Sequence, residues 1–150
     1  MQYIEAVSGE EAKFEKTLFL AGGITGCPDW QNEVVQMLGD VEATVWNPRR
    51  ANFPIGDPNA AHEQIAWEFE KLNEAKIISF WFCKETICPI VLYELGRHLA
   101  RGRARIVIGV EENYQRVQDV CIQARLVDPE VVMVRSLEDL VVGIHQKLQE

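Results

Sequence analysis

The sequence predicts an α/β protein: a three-layer sandwich in which a five-stranded parallel sheet lies between two layers of helices. Three observations carry this. Residues 77–83 and 105–109 are nearly continuous apolar runs, the pattern of parallel strands covered on both faces rather than of strands with one wet face. Between them Pro89 opens an amphipathic helix and Gly102, flanked by Arg101 and Arg103, closes it, so the segment reads as a βαβ unit. Strand and helix patterns then alternate along the rest of the chain. With 150 residues, one domain spanning 1–150 is expected, burying roughly 70% of the surface its unfolded chain exposes.

Residues 1–16 are polar, with a short β-like piece at 3–7 before a Ser8-Gly9 turn; a hairpin strand or a loose extension is expected there. The first core strand, 17–21, runs into Gly22-Gly23-Ile24-Thr25-Gly26, a loop of small residues where backbone can approach a ligand. Asp29 caps a helix carrying Trp30, Val34, Val35 and Leu38, which Gly39 ends. Residues 41–46 form the second strand, halted by Asn47-Pro48 and followed by Arg49 and Arg50. A loop with Pro54, Gly56 and Pro58 leads to a helix over 60–76 whose apolar face holds Ile65, Phe69 and Leu72, with Glu68 on the same face.

In the helix that Pro89 opens, Val91, Leu92, Leu95 and Leu99 form the stripe facing the sheet. Glu94 lies at the edge of that stripe beside Ile90, a half-solvated place for a carboxylate. A helix over 117–126, a strand over 131–134 and a last helix from the Ser136–Asp139 capping box complete the chain. Five such strands, joined by right-handed crossovers, stand in the flavodoxin-like order 2-1-3-4-5. Ligands of such sheets bind beyond the carboxyl ends of the strands at the switch point between strands one and three. That rule selects residues 21–26, 47–50 and 83–94.

A net charge of −8 excludes a nucleic-acid backbone as main partner, because phosphate binding needs a basic face. No apolar run reaches membrane-spanning length and no signal sequence opens the chain, so a cytoplasmic protein is expected. Cys27, Cys83, Cys88 and Cys121 show no CxxC pair or zinc-ribbon spacing; reduced thiols, no metal and no cofactor are expected. Glu94 and Glu68 are candidates for paired carboxylates attacking a glycosidic carbon, against simple helical pairing with Arg97 or His98 and with Lys71. Near neutral pH, desolvation and the helix dipole oppose each other at Glu94, and a largely ionised group is expected. Gly22, Gly23, Asn47, Arg49, Trp81 and Cys88 are candidate binding residues by position, as are Asp119 and Gln123, four apart on one helical face.

Several segments, in order over about residues 17–125, resemble the nucleoside 2-deoxyribosyltransferase family, particularly its "like" branch. They are Phe19-Leu20-Ala21-Gly22-Gly23-Ile24-Thr25, Trp46-Asn47-Pro48-Arg49-Arg50, Gln64-Ile65-Ala66-Trp67-Glu68, Cys88-Pro89-Ile90-Val91-Leu92-Tyr93-Glu94-Leu95-Gly96 and Asp119-Val120-Cys121-Ile122-Gln123. The resemblance implies Glu94 as nucleophile and Glu68, where family members usually have Asp, as the acid assisting the base. Phe19 stands where some members have a tyrosine, and Cys88 where some have a base-reading aspartate. It implies deoxyribosyl transfer between nucleobases through a glutamyl intermediate, in nucleotide salvage. The alternatives are hydrolysis of the N-glycosidic bond of a nucleoside or nucleoside 5-monophosphate, with Arg49 or Arg50 on the phosphate, and a non-catalytic nucleotide-binding module. It also implies a homo-oligomer, at least a dimer, with residues 113–123 near a neighbouring subunit's site.

Overall fold

A computed structural model describes all residues from Met1 to Glu150. In chain order the elements are β1 (Gln2–Glu5), β2 (Thr17–Gly22), α1 (Trp30–Leu38), β3 (Thr44–Asn47), α2 (Ala60–Glu74), β4 (Ile77–Phe82), α3 (Pro89–Arg101), β5 (Arg105–Val110), α4 (Val117–Val127), β6 (Val132–Val134) and α5 (Leu137–Gln149). The strands make one six-stranded sheet in the order β1-β3-β2-β4-β5-β6. Every neighbouring pair is parallel. α1 and α5 pack on one face, and α2, α3 and α4 on the other.

The local signals account for most boundaries. Asp29 accepts a hydrogen bond from the Asn32 amide at the start of α1, and Ser136 Oγ accepts one from the Asp139 amide at the start of α5. Gly39 and Gly102, both at positive φ, end α1 and α3, a conformation that glycine reaches without a Cβ penalty. β2 and β4 are buried along their whole length, as their unbroken apolar runs require. No helix is long and apolar enough to cross a membrane.

The sheet differs from the expectation at its N-terminal edge. Residues 3–7 form neither a hairpin strand nor a loose extension: β1 pairs in parallel with β3, so the sheet has six strands and the order 2-1-3-4-5 gains a strand outside its second member. Ile4 buries its side chain in the core. The buried Gln2 amide ties the returning chain down, donating to the Glu11 carbonyl and accepting from the Lys13 amide and Thr44 hydroxyl. These long-range partners leave no periodic trace in a four-residue strand.

Candidate active site

Beyond the carboxyl ends of β2 and β4 lies a cleft of about 280 Å³, near the small end of the range for small-molecule sites. Its floor is Phe19, Ala21, Gly22 and Gly23 from β2 and the turn after it. Ile65 and Glu68 of α2 form one wall; Cys88, Ile90, Val91 and Glu94, at the start of α3, form the other. Phe19 is fixed from behind by Trp67, ring centroids 6.0 Å apart, and offers the cleft an apolar ring with no hydrogen-bonding atom. Of the ten residues expected at the site, five line this cleft: Glu94, Glu68, Gly22, Gly23 and Cys88.

Neither glutamate takes the helical ion pair that a merely structural carboxylate would form. Glu94 makes no ion pair or hydrogen bond with Arg97 or His98. Arg97 lies over the rings of Phe69 and Tyr93, at 4.9 and 5.9 Å. Lys71 pairs with Glu70 and Glu74, leaving Glu68 to accept a 2.7 Å hydrogen bond from Gln64 Nε2. Burial raises Glu94 from its ordinary range to about 7; the Glu68 charge adds to the rise and the Arg97 charge offsets part of it. Burial also raises Glu68, with the Gln64 hydrogen bond acting the other way.

Glu94 is therefore only about half ionised near neutral pH in the free cleft, rather than largely ionised as expected. It is the sixth residue of α3, beyond the first turn in which the helix dipole acts strongly, so desolvation outweighs the dipole. Gln64 was visible only as part of a resembling segment. Its Nε2 also donates to the Pro48 carbonyl at 2.7 Å, so one amide anchors Glu68 to the turn after β3.

The other five expected residues lie elsewhere. Trp81 shares its pleat with Gly22 and Gly109 and faces α1 and α5, its ring 6.5 Å from that of Trp30. Strand alternation sends it to the opposite helical layer, where it borders a shallow groove with Glu33, Met37 and Arg135. Asn47 is buried and spent within the fold, donating to the Tyr3 hydroxyl and accepting from the Arg49 amide. Arg49 binds no ligand-facing space: Nη2 is shared among the carbonyls of Ile24, Cys27 and Pro28, at 3.1, 3.1 and 2.9 Å, and Nε donates to Gln31. Arg50 stacks on Phe53. Asp119 pairs with Arg116 on α4, and neither it nor Gln123 lines the cleft.

The cysteines also depart from the expectation of reduced thiols. Cys27 and Cys83, 56 residues apart, form a disulfide that joins the loop after β2 to the end of β4. Only the sheet order brings these segments together, so spacing along the sequence gives no sign of it. Cys88 and Cys121 are free thiols, Cys88 buried. Cys88 Sγ lies 3.8 Å from Cys83 Sγ, and the sulfurs of Cys27, Cys83 and Cys88 all fall within 4.8 Å of one another.

A family profile described as "Nucleoside 2-deoxyribosyltransferase like" matches residues 15–114. The chain belongs to this family. The match begins just before β2, takes in both cleft carboxylates and ends before α4, leaving Asp119 and Gln123 outside it. A search of curated proteins gives no match. Among solved structures, a conserved protein from Enterococcus faecalis V583 is similar over 88% of this chain and 98% of that one, with a TM-score of 0.62 and 14% identity. At that identity the likeness speaks for the fold alone. The deoxyribosyltransferase-like family binds nucleosides.

Proposed function

We propose that the protein cleaves the N-glycosidic bond of a 2-deoxyribonucleoside and transfers the sugar to a second nucleobase through an ester on Glu94. The observation that carries this reading is the pair of carboxylates, Glu94 on α3 and Glu68 on α2, which face one cleft, each raised in proton affinity by burial, Glu94 also by the Glu68 charge. Two such groups titrate as a unit and can share a proton. The productive arrangement has that proton on Glu68. Glu94 then attacks the anomeric carbon, the bond from that carbon to the base breaks, and the departing base takes the proton from Glu68. A second base attacks the glycosyl ester, returns its proton to Glu68 and frees Glu94. Because the sugar lacks a 2-hydroxyl, positive charge develops readily at the anomeric carbon, and a carboxylate suffices as nucleophile.

Water in place of the second base gives the hydrolase reading, and the two differ only in this last step. Nucleoside monophosphates are disfavoured as substrates, since Arg49 is committed to loop carbonyls and Ile87 and Cys88 precede α3. The test is incubation with deoxynucleosides and deoxynucleotides, with and without an acceptor base, read by mass spectrometry. Exchange of bases supports transfer, and free sugar alone supports hydrolysis. Binding without turnover would leave a nucleotide-binding module. Glu94→Gln is expected to lower base release by orders of magnitude while the protein still binds substrate, and a near wild-type rate would end the covalent mechanism. We further propose one domain over residues 1–150 and a homodimer in which α4 of one chain, with Asp119 and Gln123, approaches the cleft of the other.

A further inference from the structure

We propose that Cys27, Cys83 and Cys88, once the Cys27–Cys83 bond is reduced, form a three-thiolate site for a thiophilic d10 cation of the zinc class. Two segments far apart in the chain deliver these sulfurs: the loop after β2 carries Cys27, and the connection from β4 to α3 carries Cys83 at its start and Cys88 at the cap of α3. All three Sγ atoms lie within 4.8 Å of one another. The Cys83–Cys88 separation of 3.8 Å is the edge of a tetrahedron whose centre stands about 2.3 Å from each sulfur, the zinc–thiolate distance. Sulfur donors without nitrogen or carboxylate partners select soft and borderline cations over magnesium or calcium.

The backbone around the cluster is shaped to it. A Cβ on Gly23 would stand 2.2 Å from Cys27 Sγ, 2.9 Å from Cys88 Sγ and 3.0 Å from Cys83 Sγ, so the sulfurs ring one bare Cα and no larger residue fits there. Cys88 takes the left-handed conformation, φ 50° and ψ 58°, uncommon for a residue with a Cβ. Thr86 Oγ1 holds it there, accepting from the Cys88 amide at 2.9 Å, and lies 3.5 Å from Cys88 Sγ as a donor to the thiolate. Positive charge is close at hand: Arg49 Nη2 sits on the Cys27 carbonyl, and Cys88 occupies the amino end of α3, where helix amides favour an anion.

The chemistry balances in two steps. A dithiol reductant takes up the disulfide by exchange, becoming a disulfide itself and leaving Cys27 and Cys83 as thiols. Three thiols then bind one divalent cation and release three protons, giving a site of net charge −1 with a fourth position for water or for a donor atom of a bound ligand. The disulfide and the metal are alternative ties between the loop after β2 and the end of β4. The proposal stands independently of deoxyribosyl transfer.

The test uses the full chain, reduced by a dithiol that is then removed without oxygen. Expected are one zinc per chain by native mass spectrometry and, with Co2+, thiolate-to-cobalt charge-transfer absorption. Zinc should slow alkylation of the partly exposed Cys27 relative to the reduced, metal-free wild-type chain and leave the labelling of Cys121 unchanged, a footprint that needs no variant. Cys27→Ser and Cys88→Ser should lose both the stoichiometric zinc and the absorption, and Cys121→Ser should keep them. The oxidised protein should bind neither ion. A disulfide that a dithiol fails to open in the folded chain, a reduced chain that retains no zinc, or retention in the Cys27→Ser and Cys88→Ser variants would each overturn the proposal.

Discussion

An acid whose folded-state pKa is raised binds its proton more tightly in the native chain than in the unfolded one, and stability therefore falls as pH rises through the gap. For Glu94 the gap runs from 4.5 to about 7. Its cost is absent below pH 4.5, grows across that window and is complete above pH 7, where it reaches roughly 3 kcal/mol. Glu94→Gln, an uncharged mimic of the protonated acid, is expected to match the wild type near pH 4.5 and to exceed it in stability at pH 8, measured by urea unfolding at both. Equal stability at pH 8 would show that the carboxylate is not desolvated. Glu68→Gln removes the neighbouring charge, so the carboxyl carbon of Glu94, followed by NMR, should titrate at lower pH. The apolar stripe around Glu94 and Glu68 was legible because helical periodicity reports which face a residue takes. Arg49 was not: its carbonyl partners come from a loop more than twenty residues earlier, and a solvated arginine after a proline turn has the same local sequence.

At the scale of elements, the cleft draws on β2, the middle of α2 and the first turns of α3, and the turn over residues 23–28 closes the set. Arg49 holds that turn from outside, together with Trp30, whose indole donates to the Gly23 carbonyl at 3.0 Å. Arg49→Ala is expected to cost about 2 kcal/mol in urea unfolding, the scale of lost charge-assisted hydrogen bonds. A cost below about 0.5 kcal/mol would mean the turn holds itself. Gly22→Ala is expected to destabilise by about 1–3 kcal/mol, because its Cβ would stand 2.4 Å from Trp30 and 2.7 Å from the Trp81 carbonyl, the second being backbone that has little room to move. The strands and helices were readable from apolar runs and caps, since both are local. Which layer a strand's aromatic enters depends on a register that a continuous apolar run does not disclose: Phe80 and Phe82 look no different in sequence from Trp81, yet Trp81 alone of the three meets α1 and α5.

At the scale of the whole molecule, the face formed by α2 and α3 carries Ile65, Phe69, Ile90 and Tyr93, each more than half exposed, around the mouth of the cleft. The neighbouring α4 adds Ile122, Leu126 and Val127. A second copy packed there by a two-fold axis would cover both sets at once, since an isologous contact uses one patch twice. Light scattering is expected to give twice the 17.1 kDa chain mass, and Phe69→Glu with Ile90→Glu is expected to give a folded monomer; a wild-type monomer would remove the dimer from consideration. If Gln123 then serves the neighbour's cleft, Gln123→Ala lowers turnover although the residue is remote from the cleft of its own chain. Mixing decides between that role and a structural one. In a heterodimer of Glu94→Gln and Gln123→Ala chains, one cleft carries both substitutions and the other neither. Random pairing of equal amounts should restore about a quarter of the wild-type sites. If Gln123 acted within its own chain, every cleft in the mixture would carry one substitution, and mixing inactive variants would restore nothing.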